Sequence, residues 1–189
     1  GVELKQTPID ILKSGKFSAG ERLSITMISF QEPVTENFYK SHLWKKIQLI
    51  LLIHYIRDKS VDRYDYVIKY VNLFTPTEED IREDYRKIND KIKAGKAHEI
   101  SESDTLYLGA STKGSTAIKS QVPQYYGNHT LAKRRNFCFK RSYMDYILKQ
   151  YVMKDKLDAE KIIKNVNSLT TQNFEDIIIN KIAKYYNKS

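Results

Sequence analysis

Apolar and polar positions alternate from the start of the chain. Val2 and Leu4 interleave with Glu3 and Lys5, a period-two pattern that predicts a half-buried strand. Pro8 is expected to bend the chain away, and Ser14-Gly15-Lys16 reads as a turn. Leu23, Ile25 and Met27 alternate with Arg22, Ser24 and Thr26 and predict a second strand. Residues 31–35, with Pro33, read as a loop. The apolar run at 46–55 (KIQLILLIHY) predicts a buried central strand, with a helix as the alternative on periodicity alone. Residues 58–65 are turn-like, and 66–74 (YVIKYVNLF) are a further strand candidate. The clearest helix follows. Thr77 is its N-cap, and Glu78, Glu79 and Asp80 lie where the helix dipole favours negative charge. Ile81, Tyr85, Ile88 and Ile92 share one face, and Gly95 supplies the stop. Short strands are expected at 98–100 and 105–108. Residues 109–128 form a long polar stretch of the kind that is functional or disordered. Phe137 and Phe139 lead to a helix carrying Tyr143, Ile147 and Tyr151. Composition shifts near Met153. Residues 1–153 therefore read as one domain, and 154–189 as a helical tail or linker toward a further domain. The pattern as a whole predicts a mixed sheet with helices, α/β or α+β.

Composition narrows the class. The chain has 189 residues, 41% hydrophobic and 29% charged, enough for a real core and unlike a disordered polycation. No run of 18 apolar residues exists, so no transmembrane span and no membrane partner are expected. The N-terminus has no signal-peptide pattern, and a cytoplasmic location is the expectation. One cysteine, Cys138, excludes an internal disulfide and a Cys-rich zinc site. The four histidines lack metal-ligand spacing. The net charge of +9 favours a polyanionic partner; a solvated basic surface is the alternative.

Chemistry enters with Glu3-x-Lys5. On a strand both side chains point to the same face. A carboxylate that holds a hard cation, beside a lysine that positions the nucleophile or stabilises the transition state, suits Mg²⁺-dependent phosphodiester hydrolysis. Alone, the pair is also a common solvated strand face.

Around this pair the sequence resembles the MutH mismatch-repair endonuclease and the related GATC-cutting type II restriction enzymes, of the Asp…Glu-x-Lys nuclease superfamily. The resemblance runs over residues 1–152 in four ordered blocks: GVELKQTPI, SHLWKKIQLILLI, IREDYRKINDKIKAGKAHEISESDTLYLGASTKG and RRNFCFKRSYM. The GKFSAGERL and YLGASTKG stretches look closer to the restriction enzymes. The resemblance implies a restriction-endonuclease-like fold, a mixed central sheet flanked by helices, without the family's N-terminal segment. It implies cleavage of double-stranded DNA at GATC with Mg²⁺. Glu3 would bind metal together with the Leu4 carbonyl, Lys5 would be the catalytic lysine, and Lys46 an additional one on a strand. Thr112, Lys113 and Gly114 fall in the loop that reads the site, and Arg134, Arg135 and Lys140 would contact DNA, mostly its phosphates.

Two departures follow. The family's metal-binding aspartate would precede Gly1, so this stretch alone is expected to be inactive; Asp10 comes after the strand, on the wrong side. Cys138 stands where MutH has a tyrosine implicated in sensing adenine methylation, so no discrimination by methylation is expected. Double-strand cutting would need a homodimer or a second nuclease-like domain. The alternative function is a non-catalytic DNA-binding or effector domain of such a nuclease. On the residues alone, Lys113-Gly114 is also an ordinary turn, Lys45-Lys46 a strand end, and Lys133-Arg134-Arg135 a solvated charge run.

Overall fold

The computed structural model describes residues 1–113, 120–128 and 130–155. In chain order they form β1 (Glu3–Ile11), β2 (Phe17–Ala19), β3 (Leu23–Met27), α1 (His42–Ile47), β4 (Ile50–Ile56), β5 (Ile68–Phe74), α2 (Glu78–Lys93), β6 (Leu108–Thr112), β7 (Gln121–Val122), β8 (Ala132–Lys133), β9 (Arg135–Phe139) and α3 (Arg141–Ile147). A π-helical turn, Leu148–Val152, and a helical turn, Met153–Asp155, follow. This is a mixed α+β architecture. It falls into two compact units. The tail expected at 154–189 lies outside the described residues from 156 onward.

The first unit holds Gly1–Gly20, Leu49–Phe74 and the chain from Leu148. Its sheet has the order β2-β1-β4-β5, with β1 parallel to β4 and the other pairs antiparallel. Pro8 does not bend the chain away: β1 runs through it, opposite Tyr55. The reason lies in the hydrogen-bond phase. Glu3 N–H donates to the Leu49 carbonyl and Arg57 N–H to the Ile9 carbonyl, so the odd residues of β1 bond to β4. The missing proline N–H would point to the other edge, where β2 pairs only from Ile9 onward. The expected turn is present, with Gly15 at φ +79° closing the β1–β2 hairpin. The Tyr151 ring of the π turn meets Phe74 edge-on, centroids 5.5 Å apart.

The second unit holds Glu21–Gln48 and Thr75–Ile147. Its sheet has the antiparallel order β3-β9-β6, and β7 pairs with β8. The single strand expected at 46–55 is instead a helix end followed by β4. Ser41 is an N-cap that accepts from the Trp44 N–H, and Leu43 and Ile47, four apart, are buried on one face. Helix α2 follows the prediction. Ile81, Tyr85, Ile88 and Ile92 are all buried, although the Thr77 side chain makes no capping bond. Gly95 stops the helix at φ +71°, where a Cβ would stand 2.9 Å from the Tyr126 carbonyl oxygen. The strand expected at 98–100 is a 3₁₀ turn, Ala97–Glu99, and β6 begins only at Leu108. A second 3₁₀ turn, Glu102–Asp104, is closed by a Ser101/Asp104 capping box. The polar stretch after 109 is therefore strand as far as Thr112 and again at β7.

Candidate active site and nucleic-acid interface

Strand β1 is built with its polarity reversed. A half-buried strand ordinarily turns its apolar residues inward. Here Glu3 and Lys5 face the interior with side chains only 27% and 21% exposed, while Leu4 on the opposite face is 56% exposed. Lys5 Nζ lies 3.7 Å from Glu3 Oε1. Half-buried charge costs desolvation, and the pair limits that cost by juxtaposing opposite signs. The same hydrogen-bond phase that tolerates Pro8 turns the Leu4 carbonyl toward the edge of β1 that β2 does not reach. A carboxylate and a backbone carbonyl are hard oxygen donors of the kind Mg²⁺ takes, and they fit that ion as part of an octahedral set. No group of three or more His, Cys, Asp or Glu gathers among the described residues. Asp10 is engaged elsewhere: Arg57 holds it with two bonds, Nε to Oδ1 at 2.9 Å and a terminal nitrogen to Oδ2 at 2.8 Å.

Behind Glu3 and Lys5, on the same sheet face, stands a row of buried polar side chains. Thr7 pairs with His54 across the β1–β4 ladder, and Asn72 on β5 lies opposite Leu52, the partner of Lys5. Thr7 and His54 are 1% exposed and Asn72 5%. Burial pulls the His54 pKa down to about 4, so the imidazole is neutral at ordinary pH. The sequence by itself reads His54 as a core or interface residue.

Lys46 stands in the second unit, in the last turn of α1 rather than on a strand. It is exposed, at the helix end that favours cations. The β6–β9 sheet brings together residues distant in sequence. Thr112 pairs with Arg135, and the Lys113 N–H donates to the Arg134 carbonyl at 2.8 Å. Thr112, Lys113 and Arg134 are exposed at this corner. Gly114 lies outside the described residues. Arg135 and Lys140, expected at the DNA, are turned to structural work. Arg135 donates to the Ala110 and Ile100 carbonyls, each at 2.6 Å, and burial lowers its pKa. The Lys140 ammonium donates to the Glu102 and Thr105 carbonyls. Cationic side chains satisfy carbonyls of irregular segments well, and a charge run in sequence does not reveal which of its members do so. Cys138 is 1% exposed on β9 opposite Gly109, and burial raises its thiol pKa.

A residue that sequence reading passed over is Asp84. Buried on α2, it accepts from the backbone N–H groups of Leu106, Tyr107 and Leu108 at 3.0, 2.6 and 2.9 Å. It thereby pins the entry of β6, the strand that ends at Thr112 and Lys113. The available signal was a lone carboxylate on the apolar stripe of an amphipathic helix, at i+3 from Ile81 and beside Tyr85.

Residues 1–84 match the family described as DNA mismatch repair enzyme MutH. The type II restriction enzyme Sau3AI of Staphylococcus aureus is 37% identical over 195 aligned residues, which take in 100% of this chain and 39% of that enzyme. The chain thus spans well under half the length of that relative. By sequence and by its mixed α+β architecture, this chain is similar to the MutH-like restriction enzymes.

Proposed function

We propose that this chain carries catalytic and DNA-reading residues of a Mg²⁺-dependent endonuclease that hydrolyses phosphodiester bonds at GATC sites, as a type II restriction enzyme does. The observation that carries the reading is the Glu3–Lys5 pair, held 3.7 Å apart on the inward face of β1. A strand normally spends that face on apolar packing, and two half-buried charges there are a departure of the kind found at functional sites. The match of residues 1–84 to MutH and the likeness to a restriction enzyme over the whole chain support the same reading.

In this mechanism Glu3 and the Leu4 carbonyl hold the metal. When bound, Mg²⁺ supplies charge neutralisation at the phosphate and a lowered pKa for water. Lys5 donates to the attacking water and to the phosphoryl oxygens on which negative charge develops. Lys46, in the second unit, is an additional active-site lysine on the family resemblance alone. Lys113 and Thr112 reach base edges, and Arg134 contacts phosphate. Arg135 and Lys140 hold the frame from which that corner projects. Cutting both strands uses two such sites, from a homodimer or a second nuclease-like domain.

The test is cleavage of a supercoiled plasmid bearing GATC sites by the full-length protein, in Mg²⁺ and in EDTA. A fragment pattern set by GATC positions is expected in Mg²⁺ alone. Lys5→Ala should abolish cutting and leave GATC binding in place, because the ammonium acts on the transition state. Parallel losses of binding and cutting would remove Lys5 from that role. Selective GATC binding by a wild-type protein that never cuts would identify a recognition or effector domain instead.

A further inference from the structure

The polar row behind Lys5 leaves five buried side-chain atoms without a hydrogen-bond partner: Thr7 Oγ1, His54 Nδ1 and Nε2, and Asn72 Nδ2 and Oδ1. All belong to the first unit, and register puts them on one face of three adjacent strands. Buried polar atoms are hydrogen-bonded in nearly all native proteins, and each one left unmet costs about 1–3 kcal/mol. Five together on one face would be a heavy burden for a domain of ordinary stability. Ordered internal water is the usual remedy, and one such molecule satisfies about three polar groups. Donors and acceptors are both present here: a hydroxyl, a neutral imidazole and a carboxamide. The imidazole is kept uncharged by its burial, so it brings no positive charge up against Lys5. The Tyr70 ring meets the imidazole edge-on, centroids 6.5 Å apart, and closes the row on the β5 side.

Register also ties this row to the proposed chemistry. Lys5, Leu52 and Asn72 form one cross-strand rank, and Thr7, His54 and Tyr70 form the next. We infer that Thr7, His54 and Asn72 enclose ordered water, and that this water, lodged against the Lys5 rank, positions the Lys5 ammonium beside Glu3. The three are positioning residues: they act through Lys5 and touch neither DNA nor the scissile phosphate. The positioning role rests on the function proposed for Lys5; the hydration site does not.

Two measurements test it. The first is a high-resolution crystal structure of the wild-type protein. Ordered water within hydrogen-bond distance of at least two of the five atoms is expected. A dry row, or side chains bonded directly to one another, overturns the hydration site. The second is steady-state cleavage of a GATC duplex by Thr7→Val, a near-isosteric change, and by Asn72→Leu. Displacing a catalytic group by a fraction of an ångström is costly, so kcat should fall about 10–100-fold while KM and duplex affinity hold. Thermal stability should fall only modestly in Thr7→Val, because the enclosed water keeps its bonds to His54 and Asn72. Thr7→Ser, which restores the hydroxyl, should recover most of the rate. A stably folded Thr7→Val protein with wild-type kcat would overturn the positioning role. Should the wild-type protein bind GATC without cutting, the reading of Lys5 falls and the positioning role falls with it; the crystal structure then judges the hydration site independently.

Discussion

His54 shows how one buried side chain couples the sheet to pH. Its folded pKa is about 4 against an ordinary 6.5, because burial penalises the imidazolium. The unfolded chain therefore binds more protons than the folded one between those values. Stability is complete above pH 6.5 and is lost as pH falls toward 4, by up to about 3 kcal/mol from this group. Urea unfolding at a series of pH values should show this acid limb, and His54→Gln should flatten it. An equally steep limb in His54→Gln would assign the acid sensitivity to other groups. Arg135 makes the complementary point. In sequence it is one member of a basic run, yet its guanidinium serves two carbonyls inside the second unit.

At the scale of elements, α2 and the β6–β9 sheet form a unit that presents the basic corner. Asp84 joins them by accepting three N–H bonds at the start of β6. Asp84→Asn keeps the shape but sets a donor against donors, and should cost about 3 kcal/mol in chemical denaturation. A loss within experimental error would mean that water replaces the carboxylate readily. At the far end of β6 the two exposed cations should separate by role. Lys113→Ala should reduce discrimination between GATC and a scrambled duplex by about 1–3 kcal/mol. Arg134→Ala should weaken both duplexes alike. An unchanged discrimination ratio in Lys113→Ala would take that lysine out of base reading.

For the molecule as a whole, charge is the governing quantity. The net +9 predicts DNA binding that weakens steeply with salt. Each phosphate contact contributes roughly one unit to the slope of log K against log salt. Titrations of wild type and Arg134→Ala across salt concentrations should therefore differ in slope by about one. Identical slopes would show that Arg134 meets no phosphate. No helix among the described residues is long and apolar enough to cross a membrane.

The elements most legible in the sequence were those specified locally. The amphipathic stripe, acidic start and glycine stop of α2 lie within one contiguous segment, and so do the alternation of β1 and the Ser14-Gly15 turn. The Glu3-x-Lys5 pair belongs to this class too, because period two alone puts both on one face. Tertiary structure decided what depends on a partner strand or on three-dimensional neighbours. Pro8 stays within β1 because the ladder to β4 fixes which amides are used. The run at 46–55 divides because the Ser41 cap and the packing of Leu43 and Ile47 hold its first residues in a helix. Side-chain chemistry splits the same way. Sequence names which residues are cationic, and the fold alone divides them between solvent and carbonyls: Lys113 and Arg134 outward, Arg135 and Lys140 inward. Desolvation is the physical reason, since a buried charge persists only where the fold supplies its hydrogen bonds, and those come from residues remote along the chain.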